Sequence, residues 1–162
     1  LRPDWISLSV REMAREPDSK VVGDFYAELS QTQIRIQHIL YDADDLRQLF
    51  KWIDQGVVLR PSFLSILWVL GRYSSDCNSD PVELDQIEAK LQALGSVKPE
   101  QVMICAFGLG QIPCLGNAAR RGWDCRVGFE NGWWKQDGSI AQNNADLLRD
   151  LLDQLDQREI IV

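Results

Sequence analysis

Histidine is almost absent from this chain: His38 is the single one in 162 residues. It lies inside the apolar run 34–41, between Ile36 and Ile39. A lone imidazole there reads as a core or interface side chain. Ser-His-Asp chemistry, which needs the imidazole beside a nucleophile, is disfavoured. The four cysteines, Cys77, Cys105, Cys114 and Cys125, show no CxxC spacing. Neither a zinc ribbon nor a dithiol redox site is indicated, and they read as free thiols in a reducing cytoplasm. No apolar run is long enough to cross a bilayer. Nothing at the N-terminus has the pattern of a signal peptide. A basic stripe is missing too, and the net charge is −7, which argues against nucleic acid as a partner. Lysine is missing from the ends of the strand-like runs: Lys51 and Lys90 fall in helical patterns, and Lys20, Lys98 and Lys135 in loops. A Schiff-base aldolase, whose lysine projects into a desolvated pocket, is disfavoured.

What remains is an ordinary globular composition, 45% hydrophobic, with enough length for one domain and a core. Five short apolar runs predict strands: residues 5–10, 34–41, 63–70, 102–107 and 125–129. They are apolar nearly throughout, as strands covered on both faces are. Helical patterns fall between them. A weak one covers residues 23–32. Leu46, Leu49, Phe50 and Ile53 form a helical stripe, and so do Leu84, Ile87, Leu91 and Leu94, behind an N-cap at Asp80 and Pro81. Residues 112–121 predict a shorter helix. Ser139 is placed to cap a last one through Leu147, Leu148, Leu151, Leu152 and Leu155. Three helices are expected to end at Gly56, Gly95 and Gly122.

Strand and helix alternating five times mean a parallel sheet in an α/β fold. No GxGxxG follows the first strand, and Gly108-Leu109-Gly110 is only a partial match, so a nucleotide-binding sheet loses ground. A complete (β/α)8 TIM barrel takes roughly 250 residues. The expectation is therefore the C-terminal five βα units of such a barrel. Residues 1–162 would form a single partial domain, with the N-terminal strands absent from this chain. The opening Leu1-Arg2-Pro3-Asp4, without Met, also reads as a segment of a longer gene product.

In parallel β/α folds chemistry sits beyond the carboxyl ends of the strands. Those ends carry Ser9, Arg11 and Glu12; Tyr41 and Asp42; Gly71, Arg72 and Tyr73; Gly108 and Gly110; Glu130 and Asn131. Such polar groups suit a small anionic or carbonyl substrate. In the segment Arg126-Val127-Gly128-Phe129-Glu130-Asn131, an arginine and a glutamate four apart on one strand would share a face. A buried cation would then stand beside a carboxylate in the barrel mouth, either as a structural ion pair or as a substrate clamp beside a metal ligand. Trp133-Trp134 follow as a candidate apolar lid or subunit contact of a homo-oligomer.

This last segment resembles the β-keto acid cleavage enzymes, exemplified by 3-keto-5-aminohexanoate cleavage. The matching stretch is Arg121-Gly122-Trp123-Asp124-Cys125-Arg126-Val127-Gly128-Phe129-Glu130-Asn131, followed by Asp137-Gly138 and Asn144-Ala145-Asp146-Leu147. Leu1-Arg2-Pro3-Asp4-Trp5-Ile6-Ser7-Leu8-Ser9 and the runs 63–71 and 103–110 are similar to further, weaker segments of the family. The resemblance implies a cytoplasmic zinc-dependent (β/α)8 enzyme. It would transfer an acyl group between a small β-keto acid and acetyl-CoA, giving acetoacetate and a new CoA ester. It implies Glu130 as a zinc ligand and Arg126, Asn131 and Ser9 as catalytic positions.

The chain departs from the family at two points. The family's histidine pair, spaced H-x-H on an early strand, has no counterpart, whereas a catalytic zinc usually takes three protein ligands. Asn131 stands where the family has an acidic residue, and an amide cannot act as a base. A catalytically silent relative that binds a metabolite or a partner is therefore the alternative.

Overall fold

The computed structural model describes residues 3–58, 63–94 and 98–159, the last helix to residue 156 for side chains. Five strands alternate with helices. They are β1 (Trp5–Ser9), β2 (Arg35–Leu40), β3 (Ser65–Leu70), β4 (Gln101–Ala106) and β5 (Asp124–Arg126). They follow chain order in one sheet, β1-β2-β3-β4-β5. The pairs β1–β2, β2–β3 and β4–β5 run parallel: Trp5 faces Arg35, His38 faces Ile66, and Cys105 faces Arg126. The helices are α1 (Val10–Met13), α2 (Ser19–Ser30), α3 (Ala43–Asp54), α4 (Glu83–Gln92), α5 (Gln111–Arg120) and α6 (Asn144–Glu159). Trp5, Ile36, Leu67 and Ile104 each lie in their expected strands, whereas Val127 lies just past β5.

The expected burial on both faces holds fully for β3, all six of whose residues are buried. In β1 every residue is exposed or half-buried, and in β2 only His38 and Leu40 are buried. β1 lies at one end of the strand order, where one neighbour is missing.

The described residues fall into two compact units. One comprises Leu1–Trp68 with Pro99–Gln101, the other Val69–Lys98 with Val102–Val162. In the first unit Asp42 caps α3, its Oδ1 accepting from the amides of Asp44 at 2.8 Å and Asp45 at 3.1 Å. Leu46, Leu49 and Trp52 then bury one stripe. Arg11 pairs with Asp42 and Asp45, so these strand-end charges are engaged with one another. The weak helix expected over 23–32 is three turns long and starts earlier, behind Asp18, whose carboxylate accepts from the Lys20 amide at 2.8 Å. Gly23 concealed it, because glycine is a poor helix former; a Cβ there would meet only ordinary van der Waals contact with Val57.

His38 is a core residue, 2% exposed. Its ring stacks on Tyr26 at 5.8 Å, and its Nδ1 lies 3.4 Å from the Ser65 carbonyl oxygen. Nε2 and the Tyr26 hydroxyl are both buried without a hydrogen-bond partner. Burial lowers the His38 pKa to about 4.

In the second unit Asp80 accepts from the Val82 amide, and the Glu83 carboxylate accepts from the Asp80 amide, each at 2.9 Å. These reciprocal bonds close the turn ahead of α4; the helix's own N-cap is Val82, which gives no side-chain cap, so the expected cap at Asp80 lies in the preceding turn. The last helix differs from expectation. Ser139 does not cap it: its hydroxyl donates to Asp137 at 2.6 Å within a turn, and Ile140 bridges Trp134. Asn143 does the capping, accepting from the Asp146 amide at 3.0 Å. Along α6, Leu147 and Leu151 are buried while Leu148 and Leu152 stay exposed. Gly56 and Gly122 adopt the left-handed conformation that ends α3 and α5; Gly95 lies outside the described residues, as do Leu1 and Arg2.

Candidate functional site

In the second unit the loops that follow β3, β4 and β5 are bonded to one another. After β3, Ser79 bonds the Phe107 carbonyl oxygen twice, by its amide at 3.0 Å and its hydroxyl at 2.8 Å. Asn78 Oδ1 accepts from the Leu109 amide at 2.8 Å. After β4, the Gly108 amide donates to the Asn131 carbonyl oxygen at 2.8 Å. Gly108 has φ +74°, and a side chain there would collide with Asn78 and the Cys77 carbonyl oxygen. On Gly132 a Cβ would lie 2.7 Å from the Gly108 carbonyl oxygen. Glycine at both positions is what lets the two loops touch.

Arg126 ends β5, and Glu130 lies beyond it in the turn that follows. The two are not on one strand, as the spacing predicts. β5 is only three residues long, and the chain turns at Gly128, whose carbonyl oxygen accepts from the Asn131 amide at 3.0 Å. The turn still brings the charges together, with Arg126 Nη2 2.6 Å from Glu130 Oε1. Nor is the arginine buried: the Arg126 side chain is 38% exposed and Glu130 70%. An ion pair so open to water is worth about 1 kcal/mol or less. It contributes little to holding the turn.

Asn131 is buried. Its Nδ2 lies 3.4 Å from the Arg126 carbonyl oxygen, while Oδ1 has no partner. The Phe129 amide donates to Asn144 Oδ1 at 2.9 Å, and Trp133 Nε1 to the Phe129 carbonyl oxygen at 3.0 Å. Trp133 stacks on Trp134 at 5.9 Å.

Ser9 belongs to the first unit. There it is the N-cap of α1, a short helix that the sequence does not announce, and its Oγ accepts from the Glu12 amide at 3.3 Å.

Sequence reasoning missed Gln111. It opens α5 and is fully buried. Its Oε1 accepts from the Gly128 amide at 3.0 Å, and its Nε2 donates to the Gly132 carbonyl oxygen at 2.9 Å. The available signal was a lone amide side chain at the head of an otherwise apolar helix face.

Zinc is the metal that the resemblance implies. Among the described residues no group of three or more His, Cys, Asp or Glu could hold a metal ion. Glu130 is engaged by Arg126. Burial raises the Cys105 thiol to about 11, with Arg126 lowering and Glu130 raising it further by charge, so it stays protonated at neutral pH. All four cysteines are free. The described donors do not by themselves fit a zinc site. Among the described residues, no helix is long and apolar enough to cross a membrane.

No curated protein matches this chain. The family model of the beta-keto acid cleavage enzymes matches residues 1–160, and with nearly its whole length covered the chain belongs to that family.

Proposed function

We propose that this chain is part of an enzyme that exchanges the acyl group of a small β-keto acid with acetyl-CoA. The bond between the keto carbon and its CH2 carboxylate neighbour breaks. The released CH2 group takes the acetyl group, which gives acetoacetate, and the original acyl group leaves as a CoA ester. The observation that carries this reading is the Arg126–Glu130 pair beyond β5, in a chain of this family. The guanidinium offers a planar fork to the keto acid carboxylate. The exposed Arg126 side chain leaves the guanidinium open to an anion from solvent. We also propose that the chain forms five units of a (β/α)8 barrel and works in the cytoplasm as a homo-oligomer.

Zinc is proposed as the metal of the complete site, with Glu130 as the ligand this chain brings. When bound it would polarise the substrate carbonyl as a Lewis acid. The chain's own residues bind and orient the keto acid, and Arg126 neutralises its carboxylate.

A second reading, a silent relative that binds a metabolite or partner, draws on Asn131. Its amide occupies the place of the family's acidic residue, is buried, and cannot accept a proton at neutral pH. The test incubates the protein with zinc, acetyl-CoA and a series of short β-keto acids and follows acetoacetate and CoA esters. Product formation supports the enzyme. A rise in melting temperature with a keto acid but no product supports the silent binder.

A further inference from the structure

We infer that Gln111 is the positioning residue of the site: its buried amide holds the 128–132 turn in the shape that presents Glu130 to Arg126. The inference rests on the reading of Arg126 and Glu130 as the site. It begins from an imbalance. The Arg126–Glu130 pair is too exposed to hold its own geometry, yet the turn that carries Glu130 is closed by the Asn131 amide donating to the Gly128 carbonyl oxygen at 3.0 Å.

Gln111 supplies what the pair lacks. Its side chain is fully buried, and both ends of its amide are bonded to that turn, at Gly128 N and Gly132 O. These two bonds bracket Glu130 and Asn131. The two ends of the turn that carries Glu130 are thereby held from one side chain. A third bond, from Gly108 N to Asn131 O, ties the same turn to the loop that leads into Gln111.

Core filling does not explain the choice of residue. A buried amide is costly unless its donor and acceptor are both satisfied, and an apolar side chain would fill the space without that requirement. The amide is suited to one donor and one acceptor on a single short turn, and the backbone offers that pair here.

The test compares Gln111→Met, which keeps the shape and loses both bonds, with Gln111→Glu. Protonated, a glutamic acid keeps one acceptor and one donor; ionised, it turns a charge toward the Gly132 carbonyl oxygen. The Arg126 side-chain signals in 15N–1H NMR report the ion pair without any turnover, circular dichroism reports the fold, and kcat and KM report catalysis. Gln111→Met is expected to lose the Arg126 ion-pair signature and to lower kcat roughly tenfold or more, with little change in KM and the helical spectrum intact. Gln111→Glu is expected to regain both as the pH is lowered through the titration of the new carboxyl, a transition the wild type lacks. If Gln111→Met does not fold, the pH series on Gln111→Glu decides alone. An unchanged Arg126 signature in folded Gln111→Met, or in Gln111→Glu at high pH, would overturn the inference. If the wild type cleaves no keto acid, the proposed function fails, while the NMR comparison still decides Gln111.

Discussion

Arg126 and Glu130 meet at 2.6 Å although only Arg126 belongs to the strand. The turn between them, not strand periodicity, makes the contact. Glu130, beyond the strand, can therefore be replaced without touching the sheet register.

Arg126→Ala is predicted to lower keto acid turnover by about a hundredfold or more, as losing a charged donor to a reacting anion does. The loss of an exposed pair should cost about 1 kcal/mol or less. Steady-state kinetics with a thermal melt check both parts; wild-type rates would remove Arg126 from the site.

Ser9→Ala is predicted to destabilise the protein by about 0.5–1 kcal/mol, because it removes the cap of α1. Ser9→Asp should retain the cap and the stability. Urea titration of the three proteins measures this. Equal stability of Ser9→Ala and wild type would show that the cap contributes nothing.

The His38 imidazole has a folded pKa of about 4, against an ordinary 6.5. Above 6.5 both folded and unfolded chains carry it neutral, and it contributes no pH dependence. As pH falls from 6.5 towards 4 the unfolded chain takes up a proton that the folded chain refuses, so stability drops, by about 3 kcal/mol across the window. Below 4 the contribution levels off. His38→Phe, which keeps the stack on Tyr26, is predicted to remove this component. Denaturation curves at pH 7, 5.5 and 4 for the two proteins are the measurement; parallel losses in both would assign the acid sensitivity to other groups.

Gly108→Ala is predicted to destabilise by about 2 kcal/mol or more, through the strained φ and the collision with the loop after β3. The same substitution should loosen the turn that carries Glu130, through the Gly108–Asn131 bond. Hydrogen exchange at the Gly108 amide reads the second effect; unchanged protection would refute it.

This 162-residue chain alone is predicted to retain little zinc. Glu130 is one ligand, and a catalytic zinc takes about three from the protein. Metal analysis after dialysis against a mild chelator checks the count, and one retained zinc per chain would show that donors besides Glu130 complete a site in this chain.

The order of strands and helices was legible in the sequence because both periodicities are local. Leu46, Leu49 and Ile53 mark α3 by their spacing, and Gly56 marks its end by a conformation that side chains resist. The last-strand motif also carried the family, which the match over residues 1–160 supports. Boundaries failed where a side chain found another partner. Ser139 looks like a cap, but Asp137 takes its hydroxyl.

By itself the sequence determined the alternation of elements and the family, and it singled out Arg126, Glu130 and Asn131 as candidates, because apolar spacing, caps and contiguous motifs act within a few residues. Only the tertiary structure decided that β5 stops at Arg126, that Ser9 caps a helix in the other unit, and that Gln111 reaches 17 residues along the chain to bond Gly128. The physical reason is that a buried amide is specified by whichever backbone groups the fold leaves unpaired beside it, and those become neighbours only when distant loops meet.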